Sequence, residues 1–151
     1  MANRVLIVGL GVFGRAMAIQ LFRANIDVIA IDCKHELVDE IKDNVTMAVT
    51  MDATDEHALK TIDLNDVDIA MVTIGENFEA NLLAAVTLKE LGVKKVIARA
   101  SKSIQKKIML KAGVDLIITP EEIVAHILAQ DFSNGTTIVE SYVAKLGLLD
   151  K

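Results

Sequence analysis

Short, almost wholly apolar runs recur along the chain at residues 5–8, 28–31, 47–50, 69–73, 95–98 and 116–118. Runs of this length, bounded by turn residues, are the pattern of strands buried on both faces of a parallel sheet. Between them the apolar residues change to helical spacing. Leu37, Val38 and Ile41 share one side of a stretch at 35–42, and Ala58, Leu59 and Ile62 mark another behind an N-cap at Thr54 or Asp55. Residues 77–91 are apolar over much of a helix (Leu82, Leu83, Ala84, Ala85, Val86, Leu88) and stop at Gly92. A helix at 104–112 stops at Gly113, and Pro120 opens a last one with Glu121 and Glu122 in its first turn. Six strands alternating with helices predict an α/β fold with right-handed crossovers and strand order 3-2-1-4-5-6. That order leaves a crevice between the first and fourth strands.

The first strand runs directly into Gly9-x-Gly11-x-x-Gly14, and Ala16, Met17, Ile19, Gln20, Leu21 and Phe22 then read as a helix. In a strand-turn-helix of this kind the first glycine permits a tight reversal, the second lets the main chain approach a pyrophosphate, and the third lets helix lie close to strand. The unpaired N–H groups and positive dipole end of the following helix favour an anion there. Glycines in a turn are common, so context decides. The second apolar run ends in Asp32, about twenty residues on, where a carboxylate accepts from ribose hydroxyls and repels a 2′-phosphate, disfavouring NADP. The competing reading of Asp32 is a cap for the next helix. The whole is a Rossmann-type three-layer fold, and Asp32, Asp52, Thr73 and Arg99, each just after a strand, are expected along one edge of its sheet.

The totals narrow the picture. A chain of 151 residues is the size of one domain. A formal charge of −5 argues against nucleic acid or an anionic membrane as the main partner. The apolar runs are too short to span a bilayer, no signal-peptide core opens the chain, and the single cysteine, Cys33, suits a cytosolic protein. Residues 1–132 are expected as a nucleotide-binding domain. Ser133-Asn134-Gly135 then marks a break, and the weak alternation at 136–143 reads as a strand opening a C-terminal domain that the sequence does not continue.

Each candidate carries a plainer reading beside the functional one. Arg15, in a helix first turn where the dipole disfavours a cation, either meets a phosphate or points to solvent. Arg99 is placed to pair with Asp32, Asp52 or the nucleotide. Asp52-Ala53-Thr54 either contacts adenosine or caps a helix, and Thr73-Ile74-Gly75 is both a tight turn and bare backbone at the crevice. Cys33 beside Asp32 is read first as a small core residue and second as a redox sensor. His35, His57 and His126 share no ligand spacing, and no acid–base pair of a hydride-transfer enzyme is present. The helix after Pro120 carries a wide apolar stripe, Ile123, Val124, Ile127 and Leu128, that covers the last strand or faces a partner subunit.

The segments VGLGVFG (8–14), IAID (29–32), MDATD (51–55), TIGENFEANLLAA (73–85), VIARA (96–100) and AGVDLIITPEE (112–122) together resemble the RCK (KTN) domains that regulate potassium channels and transporters. The resemblance covers residues 4 to about 132. It implies a non-enzymatic regulatory subunit at the inner face of the cell membrane that binds NAD(H), ATP or ADP. It also implies a homodimer assembling to a larger ring, often an octamer, beneath a membrane-embedded potassium pore, without inserting into the membrane itself. By resemblance Gly9, Gly11 and Gly14 lie at the phosphates, with Val12 and Phe13 between them. Asp32 takes the ribose with Cys33 beside it, Asp52, Ala53 and Thr54 surround the adenosine, and Thr73, Ile74 and Gly75 line the crevice. Arg15 and Arg99 meet phosphates or a neighbouring subunit, and the helix after Pro120 crosses to a dimer partner. The competing class is a nicotinamide-dependent oxidoreductase fragment, and a third is a free-standing nucleotide sensor.

Overall fold

The computed structural model describes residues 1–135 and 138–147. Its strands are β1 (Arg4–Val8), β2 (Asp27–Asp32), β3 (Met47–Thr50), β4 (Ile69–Val72), β5 (Lys95–Arg99) and β6 (Leu116–Ile118). They form one parallel sheet in the order β3-β2-β1-β4-β5-β6. This is the predicted order, and it follows from the alternation of strands with α1 (Val12–Arg23), α2 (His35–Ile41), α3 (Glu56–Leu59), α4 (Phe78–Glu90) and α5 (Ser103–Lys111).

Alternate residues of each strand feed two separate cores, because side chains of a strand point to opposite faces. On one face Leu6, Val8, Ile29, Ile31, Ala70, Val72, Val96 and Ala98 meet Leu59 of α3, Ala84, Ala85 and Leu88 of α4, and Met109 of α5. On the other, Val5, Ile7, Val28, Ala30, Met71 and Ile97 meet Ala18 of α1 and Val38 and Ile41 of α2. The central strands are thus apolar on both sides, which explains their unbroken hydrophobic runs. Asp55, not Thr54, caps α3: its carboxylate accepts from the N–H groups of His57 at 2.9 Å and Ala58 at 3.3 Å. Asn77 caps α4 in the same way, accepting from the Ala80 N–H at 3.0 Å.

At the opposite edge from the glycine turn, Asp68 ties the sheet's beginning together. Its carboxylate accepts from the N–H groups of Asn3 and Arg4 and pairs with Lys94 at 2.8 Å. The Lys94 ammonium, followed by the two backbone N–H groups, lowers its pKa to about 2.

The chain divides into two compact units, residues 1–118 and 119–151. The second holds α6 (Pro120–Asn134), which ends on Gly135 in the left-handed conformation (φ 64°), and α7 (Ile138–Lys145). The strand expected at 136–143 is therefore corrected to helix over Ile138–Val143, while Thr136 and Thr137 lie outside the described residues. A solitary strand leaves its N–H and C=O groups unpaired, whereas a helix pairs its own. Asp131 of α6, buried, accepts from the Val139 N–H at 2.9 Å and fixes the start of that helix.

Candidate nucleotide site

All residues of the expected site lie in the first unit, and parallel register brings them to one edge. β1 ends opposite β2 and β4, with Val8 paired to Ile31 and to Val72, so the Gly9 turn, Asp32 and Thr73 emerge together. Three main-chain bonds extend the sheet past its formal end: Gly9 N–H to the Ile31 carbonyl (2.9 Å), Thr73 N–H to Val8 (2.8 Å) and Met51 N–H to Asp32 (2.9 Å).

The three glycines have three different reasons. Gly9 has φ +93°, where a side chain is strained. At Gly14 a Cβ would fall 1.9 Å from the Gly9 carbonyl oxygen and 2.4 Å from Thr73 Oγ1, so only glycine permits this approach of α1 to β1. At Gly11 a Cβ would meet nothing within 4 Å. Neither packing nor backbone strain requires glycine there, and the bare main chain faces open space at the start of α1. Gly11 is the N-cap residue, with no side-chain cap bond, and the first turn of α1 contains no acidic residue. Val12, 93% exposed, leaves that turn uncovered. The helix therefore presents unpaired N–H groups and its positive dipole end, a seat suited to an anion.

Asp32 flanks this seat. One carboxylate oxygen accepts from the Leu10 N–H at 2.7 Å and the other from the Lys34 N–H at 2.8 Å. The N-cap of α2 is Lys34, so Asp32 is not its cap. Two backbone donors pin the carboxylate, and each of its oxygens retains a second acceptor position for a hydroxyl. Cys33 beside it is an exposed free thiol, which corrects its reading as a core residue. The cause is register: β2 ends at Asp32, and Cys33 belongs to the turn.

Across β3, Asp52 accepts from both the hydroxyl (2.7 Å) and the N–H (2.9 Å) of Thr54. The Thr54 hydroxyl, then its N–H, lowers the Asp52 pKa against the opposing effect of burial, so the carboxylate stays ionised. The Ala53 side chain is buried in the core, leaving only its main chain toward the edge. Thr73, also buried, donates its hydroxyl to the carbonyls of Gly9 (2.8 Å) and Val8 (3.1 Å), locking the two sides of the crevice. Ile74 packs partly into the core, and its backbone bounds Gly9.

Arg15 forms an ion pair with Glu40 of α2. Arg99 brings its guanidinium against Gly75, where a Cβ would lie 3.4 Å from Nη1. Asp32 is held on backbone N–H groups and Asp52 on Thr54. Asn81 of α4, buried, donates from Nδ2 to the Arg99 carbonyl at 2.7 Å. The sequence carried a signal for it, since Asn81 stands where Ala84, Ala85 and Leu88, three, four and seven residues on, define a core stripe. A cavity of about 350 Å³ lies apart from this edge, walled by Ile29, Met47, Val49, Met51 and Ile62 and rimmed by Arg4 and Asp27. Among the described residues no cluster of His, Cys, Asp and Glu is arranged to hold a metal, and no helix is long and apolar enough to cross a membrane.

Residues 5–120 match the TrkA-N domain family. The chain belongs to the TrkA-N family. Among curated relatives, this TrkA-N chain is 33% identical over 138 residues to Ktr system potassium uptake protein C of Bacillus subtilis, covering 91% of this chain and 62% of that protein. The chain spans about half to three-fifths of the length of the Ktr proteins it matches. Its fold is similar to the NAD(P)-binding domain of an exopolyphosphatase-related protein from Archaeoglobus fulgidus (TM-score 0.77, 23% identity, 89% of this chain and 99% of that one). It is also similar to the GsuK channel bound to NAD (TM-score 0.68, 16% identity, 80% and 22%). GsuK has been solved with ADP as well (TM-score 0.67, 15% identity, 79% and 31%).

Proposed function

We propose that this TrkA-N domain is the nucleotide-sensing part of a regulatory subunit for a membrane-embedded potassium channel or transporter, with an adenine nucleotide, NAD(H) or ATP/ADP, as its ligand. One observation carries the reading: Gly11 is a glycine that the fold itself does not need, set at the start of a helix and facing open space. Gly9, Gly11, Val12, Phe13 and Gly14 supply main chain for the phosphates, Asp32 the ribose acceptor, and Asp52, Ala53 and Thr54 the adenosine side. Thr73, Ile74, Gly75 and Arg99 line the other wall, while Arg15 and Cys33 border it. The potassium-uptake relatives support the regulatory role, and NAD and ADP in GsuK support the ligand class.

The chain acts from the cytoplasmic side through its partner, as a homodimer assembling to a larger ring, an octamer in the form we favour. Residues 1–132 constitute the nucleotide-binding domain, and 133–151 lead toward a C-terminal domain. Regulation is a population shift: a nucleotide biases the pore only by binding one arrangement of paired domains better than another, with a coupling of about 1–3 kcal/mol. Titration with NADH, NAD, ATP and ADP, reading affinity and assembly size together, tests this. At least one is expected to bind and to change assembly, and Asp32→Ala to weaken it about tenfold or more through loss of charged hydrogen bonds. Unchanged affinity in Asp32→Ala for every nucleotide overturns the site, and turnover of a nicotinamide cofactor with a small substrate overturns the regulatory reading.

A further inference from the structure

Asn81 is a costly choice for its position. It lies in the fourth residue of α4, on the same stripe as Ala84, Ala85 and Leu88, and is 2% exposed. Asparagine is a weak helix former, and a buried amide is tolerated when its groups are bonded. Here Nδ2 is bonded and Oδ1 has no hydrogen-bond partner among the described residues. Alanine or leucine would fill the stripe without that orphaned acceptor. What the amide accomplishes is therefore found at the end of its one bond, the 2.7 Å contact to the Arg99 carbonyl.

That carbonyl closes β5. The neighbouring strand β4 stops at Val72, opposite Ala98, one residue short of Arg99. On the β4 side the ladder ends there and the amide of Asn81 takes over, while Arg99 stays in register with Ile118 of β6 on the other side, so the main chain from which the Arg99 side chain departs is held from both. The guanidinium lies beside Gly75, the loop residue that follows β4 on the crevice edge, where an added Cβ would stand 3.4 Å from Nη1, an ordinary van der Waals distance.

We propose that Asn81 is a positioning residue of the crevice, holding the end of β5 so that the Arg99 guanidinium is presented at Gly75 to the phosphate end of a nucleotide. The proposal rests on the nucleotide reading above. Guanidinium groups recognise phosphate oxygens through paired, geometry-dependent hydrogen bonds, so a displaced backbone costs phosphate recognition while leaving adenosine contacts near Asp32 alone.

The test compares adenosine, ADP and ATP by calorimetry on wild type, Asn81→Ala, Asn81→Ser, Arg99→Gln and the Asn81→Ala/Arg99→Gln double variant. Asn81→Ala is expected to weaken ADP and ATP about tenfold with adenosine affinity within twofold of wild type, and Arg99→Gln to do the same. The double variant is expected to be no weaker than Arg99→Gln alone, since both act through one group. Asn81→Ser supplies the same comparison where Asn81→Ala folds poorly. A uniform loss across all three ligands, an unchanged ADP-to-adenosine ratio, or additive effects overturns the role of Asn81. Nitrogen-15 relaxation at Arg99 Nε gives a readout without nucleotide. Its order is expected to fall in Asn81→Ala, and equal order in the two proteins overturns the proposal. Wild type that binds none of the three ligands instead defeats the nucleotide reading itself.

Discussion

Among the described glycines, Gly14 leaves the least room for a side chain, which makes it the most testable. Replacing Gly14 by alanine adds a Cβ at 1.9 Å from the Gly9 carbonyl oxygen and 2.4 Å from Thr73 Oγ1, the first more than an ångström inside the 3.0 Å that real Cβ atoms keep. Neither neighbour can turn away. The peptide that carries the Gly9 carbonyl is held through the Leu10 N–H on Asp32, and the Thr73 hydroxyl is held on the Gly9 and Val8 carbonyls. Helix α1 must therefore move off β1, an overpacking cost of about 1–3 kcal/mol. Disturbing the Thr73 hydrogen bonds adds about 1 kcal/mol, and the better helix propensity of alanine returns about 0.5–1 kcal/mol. The net loss is about 1–3.5 kcal/mol, a large share of a domain's total stability, equivalent to a fall in Tm of roughly 2–14 °C. Urea unfolding followed by circular dichroism measures it. Gly11→Ala is the internal control, because its Cβ meets nothing within 4 Å and its φ is −65°. Stability there is expected within about 0.5 kcal/mol of wild type, with nucleotide affinity reduced. Equal stabilities for Gly14→Ala and Gly11→Ala would refute the account of the turn.

Thr73→Val keeps the shape but removes the hydroxyl from the Gly9 carbonyl, and urea unfolding is expected to show a loss of about 1–3 kcal/mol; a change below 0.5 kcal/mol would mean that the carbonyl finds another donor. Asp68 titrates near 2 in the folded chain, below its ordinary 3.8, so it stabilises the fold above pH 3.8 and that contribution disappears as pH falls toward 2. Asp68→Asn is expected to be less stable than wild type at pH 7 and to show a flatter stability profile from about pH 5 to pH 2, and parallel profiles would remove Lys94 and the Asn3 and Arg4 N–H groups as the cause. The lowered pKa of Asp52 likewise keeps nucleotide binding free of Asp52 titration at neutral pH, so a binding change centred near pH 7 that Asp52→Asn abolishes would contradict its bonding to Thr54.

Local patterns determined a large part of this protein. The strand runs, the helical stripes and the Gly92 and Gly113 stops are short-range signals, and alternation of strands with helices leaves few topologies, so order 3-2-1-4-5-6 followed. Gly14 and Asp32 were legible because a strand-glycine-helix turn fixes their surroundings within a few dozen residues. The tail misled because weak alternation at 136–143 says nothing about whether a strand has an edge to join, and the described part of it pairs its backbone internally as α7. Only the tertiary structure decided that Cys33 is exposed, that Arg15 pairs with Glu40, and that Asn81 grips Arg99. Each of these depends on where one strand stops relative to its neighbour or which helix faces which, and so on contacts between segments far apart in the chain. Residue spacing fixes direction within one element; the partner met in that direction is set by how whole elements stack.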